Sequence, residues 1–142
     1  MDDRRARLVP ELLVADLSAS LAFWIGLCGF SVFYRRDEAG FVYLDLHGAQ
    51  VMLVEQRGDG YWITAPLDRP LGRGMNLEIK VDAIEPIVAT LARAAWPLFR
   101  QPEEQWYRSD DREIGVREFL VQDPDGYLLR FSARIGERPC AR

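Results

Sequence analysis

The sequence predicts an α+β fold built from two βαβββ repeats, whose sheets form a half-barrel with the helices outside. Three observations carry that prediction. A strand–helix–strand–strand–strand order is legible twice, with a period of roughly 70 residues. Each half holds one short helix with apolar residues at helical spacing and a start signal. Each half also closes on a hairpin of alternating residues, about His47-Gly48 in the first and Asp123-Pro124-Asp125-Gly126 in the second. The 142 residues read as one domain, with repeat units at about 8–56 and 75–135 and a connector at 57–74.

Leu8 to Val14 is short and apolar and reads as a strand, with Pro10 favouring an edge or a strand start. Asp16 stands where an N-cap is wanted, and Leu17, Leu21, Trp24, Ile25 and Cys28 follow at helical spacing. Gly29 suits a left-handed stop. Phe30 to Tyr34 resumes as a strand, Asp37 to Gly40 is a turn, and Phe41 to Leu46 pairs with Val51 to Glu55. Phe41, Tyr43 and Asp45 share one face of that hairpin, and Val42, Leu44 and Leu46 the other.

The second half repeats this. Met75 to Val81 is a strand, Asp82-Ala83-Ile84-Glu85 has the spacing of a capping box, and Pro86 sits in the first helical turn. Ile84, Ile87, Val88 and Leu91 form one helical face. Trp96 to Phe99 restarts as a strand, and Gln101 to Arg112 reads as a polar loop carrying Trp106 and Tyr107. Gly115 to Gln122 and Tyr127 to Phe131 are the last two strands, and the tail beyond Ile135 reads as frayed.

With 18 basic and 22 acidic residues the chain lacks the basic excess of a nucleic-acid binder. No apolar run approaches the ~20 residues a membrane helix needs, and the charged stretch from Met1 to Arg7 has no apolar run behind it of the kind a secretion signal carries. Cys28 and Cys140 stand in neither metal nor redox spacing, which fits a reducing cytoplasm.

The candidate site residues are those whose chemistry sits oddly with their surroundings. Trp62, Trp106 and Tyr107 are large aromatics in polar loops; they either stack on a flat or cationic ligand or pack on their own domain or a dimer interface. Glu55, Glu118 and Arg130 are charges inside apolar strands, so they either pair, Glu118 with Arg130, or line a wet cleft. Asp45, beside Tyr43, marks either a cleft face or a solvated edge. His47 is the only histidine and occupies a hairpin tip, which suits a turn better than catalysis. Trp24 and Trp96 read as structural, and Glu103-Glu104 and Asp110-Asp111 as a solvated loop that could also attract a cation.

Two stretches carry a family resemblance. Val14-Ala15-Asp16-Leu17-Ser18-Ala19-Ser20-Leu21-Ala22-Phe23-Trp24, then Leu27-Cys28-Gly29-Phe30, resembles the opening of the glyoxalase/bleomycin-resistance family, of the vicinal oxygen chelate superfamily. Cys28 between Leu27 and Gly29 departs from that pattern by one residue, for which a bulge at the helix end is the expected accommodation. Asp123-Pro124-Asp125-Gly126-Tyr127-Leu128-Leu129-Arg130-Phe131 is similar to the family's closing hairpin. The resemblance implies metal-ligand positions near Val9, Glu55, Asn76 and Arg130. Since a guanidinium has no free lone pair, no metal and no other cofactor is expected. Arg at the last position resembles the bleomycin-resistance branch. That branch implies a homodimer, with exchanged N-terminal strands in many members, sequestering a cationic glycopeptide antibiotic or another aromatic metabolite without turnover. Tyr43, Asp45, Glu55, Trp62, Trp106, Tyr107, Glu118 and Arg130 are then the expected ligand-binding residues. The rival expectation is a metal-dependent enzyme of the glyoxalase or dioxygenase kind using Glu11, Glu55 and Glu118.

Overall fold

A computed structural model describes residues 4–141. The chain forms two compact units. The first runs up to Arg73 and takes in the turn Asp123–Tyr127; the second holds Gly74–Gln122 and the residues from Leu128 on. Among the described residues no helix is long and apolar enough to cross a membrane.

The first unit contains β1 (Glu11–Val14), α1 (Leu17–Leu21), a wide π turn (Ala22–Leu27), β2 (Ser31–Arg36), β3 (Phe41–Leu46) and β4 (Ala49–Glu55). Its sheet runs β1-β4-β3-β2, parallel only between β1 and β4. The second unit contains β5 (Leu77–Lys80), α2 (Glu85–Arg93), β6 (Arg100–Ser109), β7 (Arg112–Gln122) and β8 (Leu128–Pro139). Its sheet repeats the order, β5-β8-β7-β6, again parallel only at the first pair. The expected pair of βαβββ units is therefore what the chain forms. In both, a helix and two antiparallel strands lie between the first strand and its parallel partner.

Asp16 starts α1 as expected: its backbone is extended and its side chain accepts from the Ala19 N–H at 3.2 Å. The extra residue at Cys28 is absorbed by the π turn, in which the Cys28 N–H reaches back five residues to the Phe23 carbonyl at 3.0 Å. That widening puts Phe23, Trp24 and Cys28 all inside, against Leu12, Val14, Val42, Leu44 and Leu53 of the sheet. The second core gathers Ile79, Phe119, Val121, Leu129 and Phe131 with Ile84 and Leu91, and the Phe119 and Phe131 rings stack at 5.4 Å. Burying each such side chain stabilises its unit by about 1.5–3 kcal/mol.

Four local expectations need correction, the first being the strand at Trp96 to Phe99: Pro97 lacks an N–H to pair, and the strand starts only at Arg100. The spacing of Asp82 and Glu85 does not make a capping box: α2 starts after Ile84 with no side-chain cap, and Glu85 instead pairs with Arg117 at 2.8 Å. The expected polar loop at 101–112 is mostly strand β6, turning only at Ser109–Arg112, and its hydrophilic composition reflects an edge strand paired on one side alone. The tail beyond Ile135 continues β8 to Pro139, held by β7 through pairs such as Glu113 with Arg138. Of the charged stretch from Met1 to Arg7, the first three residues lie outside those described.

Two glycines are required by close packing. A Cβ on Gly115 would lie 2.7 Å from the Trp106 ring. Gly126 has φ of +102°, and a Cβ there would meet the Pro70 backbone at 2.7 Å.

Candidate functional site

The second unit gathers charge on the sheet face turned away from its core. Alternation sends Phe119, Phe131 and Leu129 inward, so Glu118, Leu120, Arg130 and Ser132 share the opposite face, with Glu118 facing Ser132 and Leu120 facing Arg130. The edge strands add Glu78, opposite Arg130, and Tyr107. Each of the four strands thus supplies at least one polar group to a single cluster.

The geometry of that cluster is unequal. Arg130 lies between two carboxylates, 3.4 Å from Glu78 and 3.7 Å from Glu118, while its Nε donates to Asn76 Oδ1 at 3.1 Å. The Tyr107 hydroxyl donates to Glu118 Oε1 at 2.5 Å, and this bond, with burial behind it, holds the phenol above its ordinary pKa. Glu118 is only 3% exposed, and its Oε2 is buried without a hydrogen bond among the described residues. A desolvated carboxylate oxygen with one distant guanidinium beside it is short of donors. One arginine against two glutamates leaves the cluster net negative.

In the first unit the face shared by Phe41, Tyr43 and Asp45 is filled at the two aromatic residues. Tyr43 is 2% exposed, stacked on Tyr34 at 5.1 Å and next to Phe33, and burial raises its hydroxyl pKa. That hydroxyl donates to Gln50 Oε1 at 2.6 Å, and Gln50 Nε2 donates to Asp45 Oδ1 at 3.0 Å. Asp45 also accepts from the Gly48 N–H in the hairpin turn, where His47 stands at positive φ. Aromatic packing covers this face at Tyr43, while Asp45 and Gln50, with Ser31 and Phe33, line a cavity of about 360 Å³ at its other end.

Glu55 also has local work. Its Oε2 accepts from the Leu17 N–H at 2.7 Å, which satisfies an otherwise orphan donor of α1, and its Oε1 accepts from Arg57 at 3.0 Å. The Leu17 bond first, then Arg57, holds its carboxyl below the ordinary range. Trp106 and Tyr107, adjacent in β6, point to opposite faces. Trp106 covers Gly115 and lies 4.0 Å beneath the Arg138 guanidinium, away from the cluster that Tyr107 joins. Trp62, in the connector, is 97% exposed.

Of the eight expected residues, the structure therefore joins Tyr107, Glu118 and Arg130. Glu78 and Asn76 complete the group; Glu78 was passed over because it looks like any solvent-facing charge in a short strand. A cross-strand pairing of β5 with β8 was the signal that could have found it.

The side chains at the metal-ligand positions that the resemblance implies do not make a donor set for a metal. Val9 offers no donor, Glu55 is engaged by Leu17 and Arg57, and Asn76 accepts from an arginine that cannot ligate. The rival set fails on register. Glu11 lies opposite Met52 and Glu55 opposite Val14, three positions along β1, so the two carboxylates stand on opposite sheet faces. Among the described residues no group of three or more His, Cys, Asp or Glu side chains converges to hold a metal ion.

No protein-family model matches the chain, and no curated protein does. Solved structures do. A glyoxalase/bleomycin resistance protein/dioxygenase superfamily member from Vibrio splendidus 12B01 is 35% identical, over 87% of this chain and 94% of that one, with a TM-score of 0.40. Likeness of fold is carried by others. The glyoxalase/bleomycin resistance protein/dioxygenase from Alicyclobacillus acidocaldarius has a TM-score of 0.61 at 16% identity, over 96% of each chain. TioX from Micromonospora sp. ML1 has a TM-score of 0.69 at 18% identity, over 92% of this chain and 99% of that one.

Proposed function

We propose that the chain is a member of the glyoxalase/bleomycin resistance/dioxygenase superfamily, whose fold it shares, and that it is a cytoplasmic homodimer that sequesters a bleomycin-type or other aromatic, cationic compound without transforming it. The observation that carries the reading is Glu118 Oε2, a buried carboxylate oxygen with no hydrogen-bond donor among the described residues, on a sheet face with a net negative cluster. A ligand ammonium or amidinium reaching that oxygen would complete its hydrogen bonding, with Tyr107 fixing the other oxygen and Arg130 free to lean towards Glu78. The side chains at the family's metal positions favour binding over metal-assisted catalysis. Cys28, buried, and Cys140, half-buried, are both free thiols, which suits a reducing compartment.

The test is a calorimetric titration of purified protein with bleomycin, alongside elemental analysis of the unstripped sample. Saturable binding that weakens about 10- to 100-fold in Glu118→Gln is expected, the loss of a charge-assisted hydrogen bond. Absence of saturable binding, equal affinity in the variant, or stoichiometric divalent metal on the native protein would overturn the reading.

A further inference from the structure

The turn Asp123–Tyr127 belongs to the first compact unit, although the strands it joins, β7 and β8, belong to the second. Residues of the first unit close around it. The Trp24 indole N–H donates to Asp123 Oδ2 at 3.1 Å, and the Ala15 N–H to Asp125 Oδ1 at 3.2 Å. From the connector the Leu71 N–H donates to the Asp125 carbonyl at 2.9 Å, and the Tyr127 hydroxyl donates to the Leu13 carbonyl at 2.9 Å.

The charge inside this turn does not balance. Asp123 and Asp125, separated only by Pro124, are both buried carboxylates. Arg69, whose side chain is mostly in solvent, pairs with Asp125 at 3.2 Å and also donates to the Pro124 carbonyl. Among the described residues no cation pairs with Asp123, which is held by N–H dipoles alone. The other titratable groups that face it, Cys28 on the π turn and Tyr127, supply no positive charge. Burial first, and then the charge of Asp123, raises both, Tyr127 to about 12, so both keep their protons. The turn therefore buries one uncompensated negative charge unless Asp123 takes up a proton.

We propose that this turn is a proton-operated clasp: with Asp123 protonated it stays closed in the first unit, and with Asp123 ionised it opens locally while the core stays folded. β7 and β8, which carry Glu118 and Arg130, both meet the turn, so its opening loosens the ends of those strands. The clasp stands on the turn alone and requires nothing of the Glu118 cluster. The direction follows from the raised pKa of Asp123, about 6 when folded: closure is favoured at low pH and lost as pH rises through that value.

Amide exchange of the full chain, read by NMR and corrected for intrinsic rates, tests this. At about pH 7.5 the Ala15, Leu71 and Tyr127 N–H groups and the Trp24 indole should be protected at least about tenfold less than the amides of β3 and β4. From about pH 5 to about pH 7.5 their protection should fall about tenfold, and in Asp123→Asn that dependence should vanish. Arg69→Gln, at an exposed side chain, should lower their protection about two- to fivefold and leave the pH dependence in place. Two outcomes overturn the proposal. One is protection at the turn equal to that of β3 and β4 at both pH values, which means it opens only with the whole unit. The other is a pH dependence that survives in Asp123→Asn. If that variant does not fold, the wild-type Asp123 carboxyl resonance decides between a midpoint of about 6, as expected, and one in the ordinary carboxylate range, which removes the clasp.

Discussion

Replacing Asp123 by Asn separates the charge of this buried residue from its shape. Asp123 is 4% exposed and begins the turn between β7 and β8. Its Oδ1 accepts from the Asp125 and Tyr127 N–H groups at 3.0 and 2.9 Å, and its Oδ2 from Trp24 Nε1 at 3.1 Å. Burial outweighs these three donors and pushes its pKa up from 3.8 to about 6. The folded protein therefore binds this proton more tightly than the unfolded chain. The stabilisation from the bound proton is complete below the unfolded pKa and is lost as pH rises through about 6. A shift of that size is worth about 3 kcal/mol in full, of which about 2 kcal/mol is recovered on going from about pH 7.5 down to about pH 4.5. Asn cannot titrate, so Asp123→Asn lacks this term whatever constant offset arises from its amide facing the Trp24 N–H. Urea unfolding of both proteins across that range measures the difference. Wild type should gain on the variant by about 2 kcal/mol as pH falls. A difference that stays constant with pH would refute the reasoning, since carboxylates with lowered pKa, such as Glu55, titrate alike in both proteins.

The two loop-like tryptophans should behave oppositely in denaturant. Trp106→Ala uncovers Gly115 and removes the ring beneath Arg138, with an expected loss of about 1–3 kcal/mol, whereas Trp62→Ala stays within about 0.5 kcal/mol of wild type. Equal losses would contradict the assigned packing. Gly126→Ala forces a side chain at positive φ into Pro70 and should lower stability by about 2–4 kcal/mol; a melting curve unchanged from wild type would mean the turn has room it does not show.

Much of this molecule is determined by local chemistry alone. Asp16 with the apolar spacing after it, the alternation of Phe41 to Leu46, and the Asp123–Gly126 turn specify two strand–helix–hairpin units because backbone preference and side-chain period act over a few residues. The Cys28 insertion was legible as a bulge for the same reason, though only packing decided that it would become a π turn. Strand β6 escaped notice because an edge strand needs no apolar face, so Arg100 to Ser109 carries loop-like composition. That omission hid the alternation separating Trp106 from Tyr107. The pairing of Glu118 with Arg130 was foreseeable from adjacent strands, whereas the place of Glu78 required the parallel register of β5 on β8, a contact across some fifty residues that no local pattern encodes. Likewise Tyr43 and Glu55 look available in sequence, and only the tertiary structure shows them engaged, one beneath Tyr34 and the other at the start of α1. Periodicity selects which face a side chain takes; what already occupies that face is decided by residues far away in the chain.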